Sequence, residues 1–388
     1  MKSNCVLAVL AVAVCLASAS GAVADIYNYQ TGQVIPGTEG ITPGPGINLS
    51  NWDTSSHNLR YADFMGMNLQ ASEFYYSWLD GACFSFVNLT GADFYYATLT
   101  GAYLSYANLT AAIFHGATLS GADLTDAVVA GACFSDPGIT KGQLYSTASY
   151  KAKDLTGIYL GGNDLAGCNL AGQNLTAAYF YDAQLTGADL RNANLTSAYL
   201  GSANLTGADL RGAVGASLGG DYPPLLHNTI LPDGQIQGLA LGSGETLCVR
   251  NSMVAITVSD TMTFDADSTL RLELEPDWTS TINLADGVTP QLGGTLDLGL
   301  AEGVDPGAMI GDTFYLFNWN GPLPGDNRFS SIVSDLGPNY VWDTSDLYNG
   351  GTVALMTYGP QPVPEPGTIT LLALGALGLL ARRRGMRE

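Results

Sequence analysis

Between Leu59 and Leu210, leucine or phenylalanine returns every five residues almost throughout, with one slip. The text around each return reads Ala, then Asp or Asn, then Leu, then Thr. Examples are Ala107-Asn108-Leu109-Thr110 and Ala203-Asn204-Leu205-Thr206. A helix places apolar residues at about 3.6 spacing and a half-buried strand at about 2.0, so a strict five fits neither. A fixed short period predicts a repeat architecture. The residue two places before each centre is alanine from Ala92 to Ala132 and again from Ala178 to Ala213. Side chains that small let the walls of a narrow coil approach and leave no lumen. Such a coil places function on a long regular surface rather than in a deep pocket.

This pattern resembles the pentapeptide-repeat family, whose motif is A(D/N)LXX. The resemblance covers about residues 48–213. It implies a right-handed square solenoid with four repeats per coil, the centre and the residue two before it pointing inward. It also implies a second period of twenty, and the sequence contains one. Phe74, Phe94, Phe114 and Phe134 are twenty apart and all central, a candidate core ladder. Tyr159, Tyr179 and Tyr199 form another column, and Tyr75-Tyr76 recurs as Tyr95-Tyr96. Asp189-Leu190-Arg191 recurs as Asp209-Leu210-Arg211. Residues one coil apart should lie about 4.8 Å apart, close enough for rings to stack.

The register slips once, because centres spaced by five to Leu144 restart one residue late at Leu155. Thr140 and Gln143 have the spacing of a capping box, so a helical bulge is expected near 137–154 and Leu144 should not be a coil position. The sixteen centres from Leu59 to Phe134 and the twelve from Leu155 to Leu210 make seven coils. At about 4.8 Å each these form a rod of roughly 34 Å.

Past Ala213 the period of five ends and alternation begins, as in Leu270, Leu272 and Leu274 or Leu296, Leu298 and Leu300. Short strands between Gly- and Asp-rich turns predict a β-sandwich-like or β-solenoid domain over 214–358. The fold class is therefore all-β: a right-handed quadrilateral β-helix followed by that domain. Residues 25–47, rich in Pro and Gly, read as a leading segment that caps the first coil.

The termini indicate the compartment. Met1–Ala24 has the parts of a secretory signal peptide: Lys2, an apolar run from Val6 to Leu16, and a small-x-small site at Ala22 and Ala24. At the other end a linker and tail occupy 359–388. Val363-Pro364-Glu365-Pro366 precedes an uncharged run, Gly367 to Ala381, and then Arg382, Arg383 and Arg384. That run is shorter than the roughly 20 residues of a membrane helix, and the arginines suit a cytoplasmic end. The tail resembles the PEP-CTERM sorting signal, which implies recognition and removal by the membrane protease exosortase in exopolysaccharide-producing cells. The expected partners are signal peptidase and exosortase during export, then exopolysaccharide or another surface protein. The expected location is the cell surface or extracellular matrix, after transient inner-membrane anchoring.

Charge agrees with export. The chain carries 14 basic and 35 acidic side chains; without Lys2, Arg382, Arg383, Arg384, Arg387 and Glu388 these fall to nine and 34, about −25. Such a surface is a poor partner for nucleic acid. His57, His115 and His227 share no column, and no Ser/His/Asp or Cys/His set is apparent. No metal spacing or cofactor motif appears, although Asp260, Asp265 and Asp267 are oxygen ligands in one turn region. Cys83 and Cys133 should lie on opposite faces, and Cys168 at an inward position. Trp278, Trp319 and Trp342 belong either to a core or to a sugar-facing surface. The sequence favours an exported, non-catalytic scaffold. Its alternatives are an ice- or carbohydrate-binding face built on Thr176/Thr196 and Thr186/Thr206, a DNA-mimicking gyrase-binding rod, and a hydrolase in the third region.

Overall fold

A computed structural model of the protein describes residues 25–54, 57–136 and 138–357. The signal peptide with Ala22 and Ala24, the sorting tail from Val363 to Arg384, and the side chain of His57 lie outside the described residues.

The repeat folds as a right-handed four-sided β-helix. Parallel bridges link residues twenty apart in four columns, beginning Asp63–Cys83–Tyr103, Asn68–Asn88–Asn108, Glu73–Asp93–Ile113 and Trp78–Thr98–Thr118. Most central N–H groups donate to the next coil, as Leu89 N does to Asn108 O at 2.8 Å. Most preceding residues donate back, as Asn108 N does to Val87 O at 2.9 Å. Nearly every polar backbone group of the faces is thereby satisfied without long strands.

Side chains fill the interior. Phe74, Phe94, Phe114 and Phe134 are fully buried and stack at centroid distances of 4.9, 4.8 and 5.1 Å. Phe64 and Phe84 form a second column at 5.0 Å, edge-on to the first. Alanines opposite make room for the rings.

Each corner forces the second residue past the centre into the left-handed region. Glycine often stands there, but so do Tyr76, Phe86, Tyr96 and Tyr106, with φ of 57, 62, 52 and 59°. That conformation costs a side-chain-bearing residue about 1–2 kcal/mol. Stacking offsets part of it: Tyr76 lies on Tyr96 at 5.7 Å and Phe86 on Tyr106 at 4.8 Å. Gly116 serves two ends, since its φ is +66° and a Cβ there would sit 2.8 Å from the Tyr96 ring.

The slip is a helical insertion. Thr140 and Gln143 close a capping box on α1, Lys141–Ser146, and Thr147 caps a one-turn α2, Ala148–Lys151. Leu144 is buried from within α1, so it packs the core without forming a coil strand. The bridge that spans the insertion joins Cys133 to Tyr159, after which the offset of twenty resumes.

The coil reaches beyond the regular text at both ends. Asn48 bridges Glu73, and Ile26 and Ile35 of the leading segment join the same apolar core. At the far end Asn204 bridges Leu225 and Asp209 bridges Ile230, although the first core closes at Ala213 and a second begins at Ile230. In the third region Thr246–Arg250, Thr269–Leu274, Thr295–Leu300 and Ser331–Val333 form one parallel sheet. Gln235–Ile236, Ile256–Val258, Ile282–Leu284 and Phe317–Asn318 form another. Each strand thus lies beside its counterpart in the next coil, which is solenoid pairing. Antiparallel pairing enters this region with Thr313–Tyr315, Thr352–Thr357 and Tyr340–Asp343. Leu270, Leu272 and Leu274 face inward, as their alternation predicts.

Phe114→Ala should cost about 3–5 kcal/mol, because a buried ring leaves a cavity in a column that cannot collapse. Leu190→Asp should cost several kcal/mol more than a surface change, since it places a carboxylate in a dry core. Chemical denaturation of the full chain measures both, and a wild-type midpoint in either variant would contradict the buried columns.

Candidate functional site

The candidate catalytic groups do not converge. His115 stacks on Tyr95 at 5.3 Å with Nε2 3.7 Å from Asp136. His227 lies 3.4 Å from Glu245 in the third region. Asp267 accepts from Ser243 at 2.7 Å, the Asp265 carbonyl accepts from Ser268, and no three metal-ligating side chains come together among the described residues. No disulfide joins Cys83, Cys133, Cys168 or Cys248. Burial pushes the Cys168 thiol up and the Cys248 thiol up to about 12, which leaves neither nucleophilic at neutral pH. Trp319 and Trp342 are core residues whose indoles donate to Leu347 O at 2.6 Å and Leu298 O at 3.2 Å. Trp278 is half-buried, and its indole N–H has no partner.

The outer faces are largely engaged with themselves. On one face Thr156 donates to Asp154 at 2.6 Å, Thr176 to Asn174 at 2.7 Å and Thr196 to Asn194 at 2.7 Å. The Asn174 and Asn194 amides donate to the threonine hydroxyl of the coil before, at 2.7 and 2.9 Å. On this face, which holds Thr176 and Thr196 but not Thr186 and Thr206, the ladder uses the hydroxyl protons that an ice- or sugar-binding face would offer. Tyr159, Tyr179 and Tyr199 stack at 5.4 and 5.2 Å, and Tyr181 lies against the last two. Their π-faces are covered by one another, so the column presents ring edges and is a poor platform for a sugar ring.

The most heavily built polar cluster is the junction between the two apolar cores. Arg211 is fully buried and uses all five donors. Its guanidinium donates to Asp209 at 2.9 and 2.6 Å, Arg250 O at 2.6 Å, Ser280 at 2.8 Å and Val254 O at 3.1 Å. One coil earlier, Arg191 holds Asp189 at 2.9 and 2.7 Å and donates to Asn251 O. Arg250 lies 3.9 Å from Asp189 and 3.0 Å from Glu273. Burial pushes the Asp189 carboxyl up, but the hydrogen bond and charge of Arg191, with Arg250, outweigh it and hold it below the usual carboxylate range. The repeated Asp-Leu-Arg marks the period of twenty, yet its role as the clamp on the third region is not apparent from the repeat alone.

These geometries define a β-helical repeat protein whose coils stack mostly at an offset of twenty. The family model for pentapeptide repeats matches eight copies, at residues 88–126, 102–136, 154–192 and 193–217. The PEP-CTERM protein-sorting motif matches 362–384. The chain thus carries pentapeptide repeats and a PEP-CTERM sorting motif. No curated protein matches it. Among solved structures it is similar to a pentapeptide repeat protein of the Arabidopsis thaliana thylakoid lumen, at 28% identity over 36% of this chain and 68% of that one, TM-score 0.18. It is also similar to HetL, involved in heterocyst differentiation regulation in the cyanobacterium Nostoc sp. strain PCC 7120, at 29% identity over 49% and 91%, TM-score 0.22. A third is a plasmid-mediated fluoroquinolone resistance protein, at 18% identity over 48% and 90%, TM-score 0.26. Among the described residues no helix is long and apolar enough to cross a membrane, and Gly367–Ala381 lies outside them.

Arg211→Met should cost about 3–5 kcal/mol, because it strands the buried Asp209 carboxylate. Removing both partners with Arg211→Met and Asp209→Leu should restore much of that loss. Asp189 gives the pH dependence its sign. Its folded-state pKa is depressed, so its contribution is present above the unfolded value of about 3.9 and is lost as pH falls through the folded value. Asp189→Asn should flatten that acid limb in pH-dependent melts; an unchanged limb would remove Asp189 from the account.

Proposed function

We propose that the protein is an exported, exosortase-sorted scaffold of the cell surface or extracellular matrix. Its rod and third region act together as a stiff, non-catalytic spacer. The observation that carries this reading is the clamp at Arg211, which ties the coil stack to the solenoid pairing beyond it. A hinged linker would not need five buried hydrogen bonds there. The acidic exterior supports solubility outside the cell and argues against anionic partners. Removal of the signal peptide during export would separate the rod from cytosolic targets such as gyrase. The partners in this reading are signal peptidase and exosortase in transit, then exopolysaccharide or another surface protein.

The sorting step rests on Val363-Pro364-Glu365-Pro366 acting with the short apolar run and Arg382, Arg383 and Arg384. Mass spectrometry of the chain recovered from its native host should show loss of Met1–Ala24 and of the segment after the Pro-Glu-Pro motif. Glu365→Ala should leave an unprocessed form in the inner membrane. A mature chain that keeps Arg382, equally abundant with and without Glu365, would leave an ordinary membrane anchor as the better reading.

A further inference from the structure

In the third region the alternation of buried and exposed residues breaks at one point. Phe314 is buried and Tyr315 exposed, then Leu316 and Phe317 are both buried before Asn318 is exposed again. Regular alternation would put Tyr315 and Asn318, three positions apart, on opposite faces. The break is a bulge: Leu316 N and Phe317 N both donate to Gly351 O, at 2.8 and 3.1 Å. Two residues thus oppose one, which bends the strand and re-aims its side chains. A Cβ on Gly351 would collide with Phe317 O, so the close approach needs a glycine there. The outcome is that Tyr315 and Asn318 border the same outward groove.

The groove holds about 480 Å³ and lies against the sheet of Ile256–Val258, Ile282–Leu284 and Phe317–Asn318. Small-ligand sites run from about 300 to 1,000 Å³. Thr279, Thr281 and Asn283 complete its polar lining, and no lining residue carries a charge, in a chain with 35 acidic side chains. Tyr315 is 63% exposed, and no ring stacks on it among the described residues, unlike the tyrosine column of the rod. The hydroxyl protons of Thr279 and Thr281 are spent on Ser252 O and Tyr315 O, at 2.7 and 2.8 Å, so their oxygens can only accept. Asn283 is fixed, since its amide donates to Ile256 O at 3.0 Å and its oxygen accepts from Asn318 Nδ2 at 3.3 Å. Asn318 Oδ1 accepts from nothing among the described residues.

We propose that this groove binds a neutral saccharide chain, with one sugar ring lying on Tyr315 and hydroxyls donating to Asn318 Oδ1 and the two threonine oxygens. A tyrosine ring offers an apolar face to the C–H side of a sugar while its hydroxyl stays wet. The lining holds more acceptors than donors, so its occupant must bring donors without charge, and a polyol does. A proline-rich segment lacks the N–H groups to do so. Strand addition at Leu316 and Phe317 is closed, because Gly351 already takes both of their N–H groups. The site gives the polysaccharide partner of the scaffold reading a place to bind, and it rests on that reading for the polymer that the exported protein meets. Saccharide binding by the purified protein and processing of the tail in the host are separate readouts, so either can fail without the other.

The test runs the full processed protein through native gels that contain mixed-linkage β-glucan, xylan or galactomannan, and through a gel of acidic polygalacturonate. At least one neutral polymer should retard it. Tyr315→Ala should raise the apparent Kd in that gel about tenfold, the loss of one ring contact. Asn318→Ala should weaken binding in the same direction. Tyr315→Phe should keep most of the retardation, because the ring rather than its hydroxyl carries the contact. Tyr222→Ala, which removes a ring that is 62% exposed outside the groove, should change nothing. No retardation by any of the neutral polymers would overturn the proposal, and so would retardation that Tyr315→Ala leaves unchanged. Retardation by polygalacturonate alone would also overturn it, since the groove offers no charge. Release from the neutral gel by a hexaproline peptide would overturn it in favour of a peptide ligand.

Discussion

The coil-to-coil hydrogen-bond ladder is the constraint on which the rest of the structure depends. It demands that every face be only a few residues long and that every corner turn within two residues. The left-handed corner follows from that demand, and so do its glycines and its strained tyrosines. The same geometry sets the stacking distance of about 5 Å, which suits phenylalanine rings inside and tyrosine rings outside. Backbone satisfaction, core packing and surface order therefore share one repeat, and a change in the repeat length disturbs all three together.

The chain departs from the repeat in two places, and each departure is handled with polar chemistry. At the insertion, Asn163 takes over the backbone groups of Gly138, Ile139 and Phe134, while Thr140 and Gln143 cap the helix that carries Leu144 back into the core. At the exit, the apolar interior closes at Ala213 and reopens at Ile230. Between them lies a layer of arginines and aspartates whose donors and acceptors are matched. A buried ion pair of this kind adds little net stability over an apolar pair, but it is exacting about geometry. That property suits a junction that must hold two stacks in register.

Regularity has a functional consequence. Threonine hydroxyls and tyrosine π-faces are the groups that usually make a solenoid face adhesive; here Thr156, Thr176 and Thr196 donate to the Asp or Asn two residues before them, and the rings of Tyr159, Tyr179 and Tyr199 cover one another one coil apart.

The period of five, the columns of twenty and the helical interruption were legible in the sequence because each is a local matter of spacing. So was the PEP-CTERM motif, which acts as linear text. Phe74, Phe94, Phe114 and Phe134 are core because their spacing leaves them no other place. The glycines two places past many centres already marked the left-handed corners, a signal that centres and alanines overshadow. The joining of Asp209 and Arg211 to Arg250, Val254 and Ser280 was not legible, since it pairs groups as many as 69 residues apart across two different repeats. The third region alternates as either a sandwich or a solenoid would, and only the parallel pairing of Thr246, Thr269 and Thr295 distinguishes them. Alternation records which face of a strand is buried; it carries no record of which strand lies alongside.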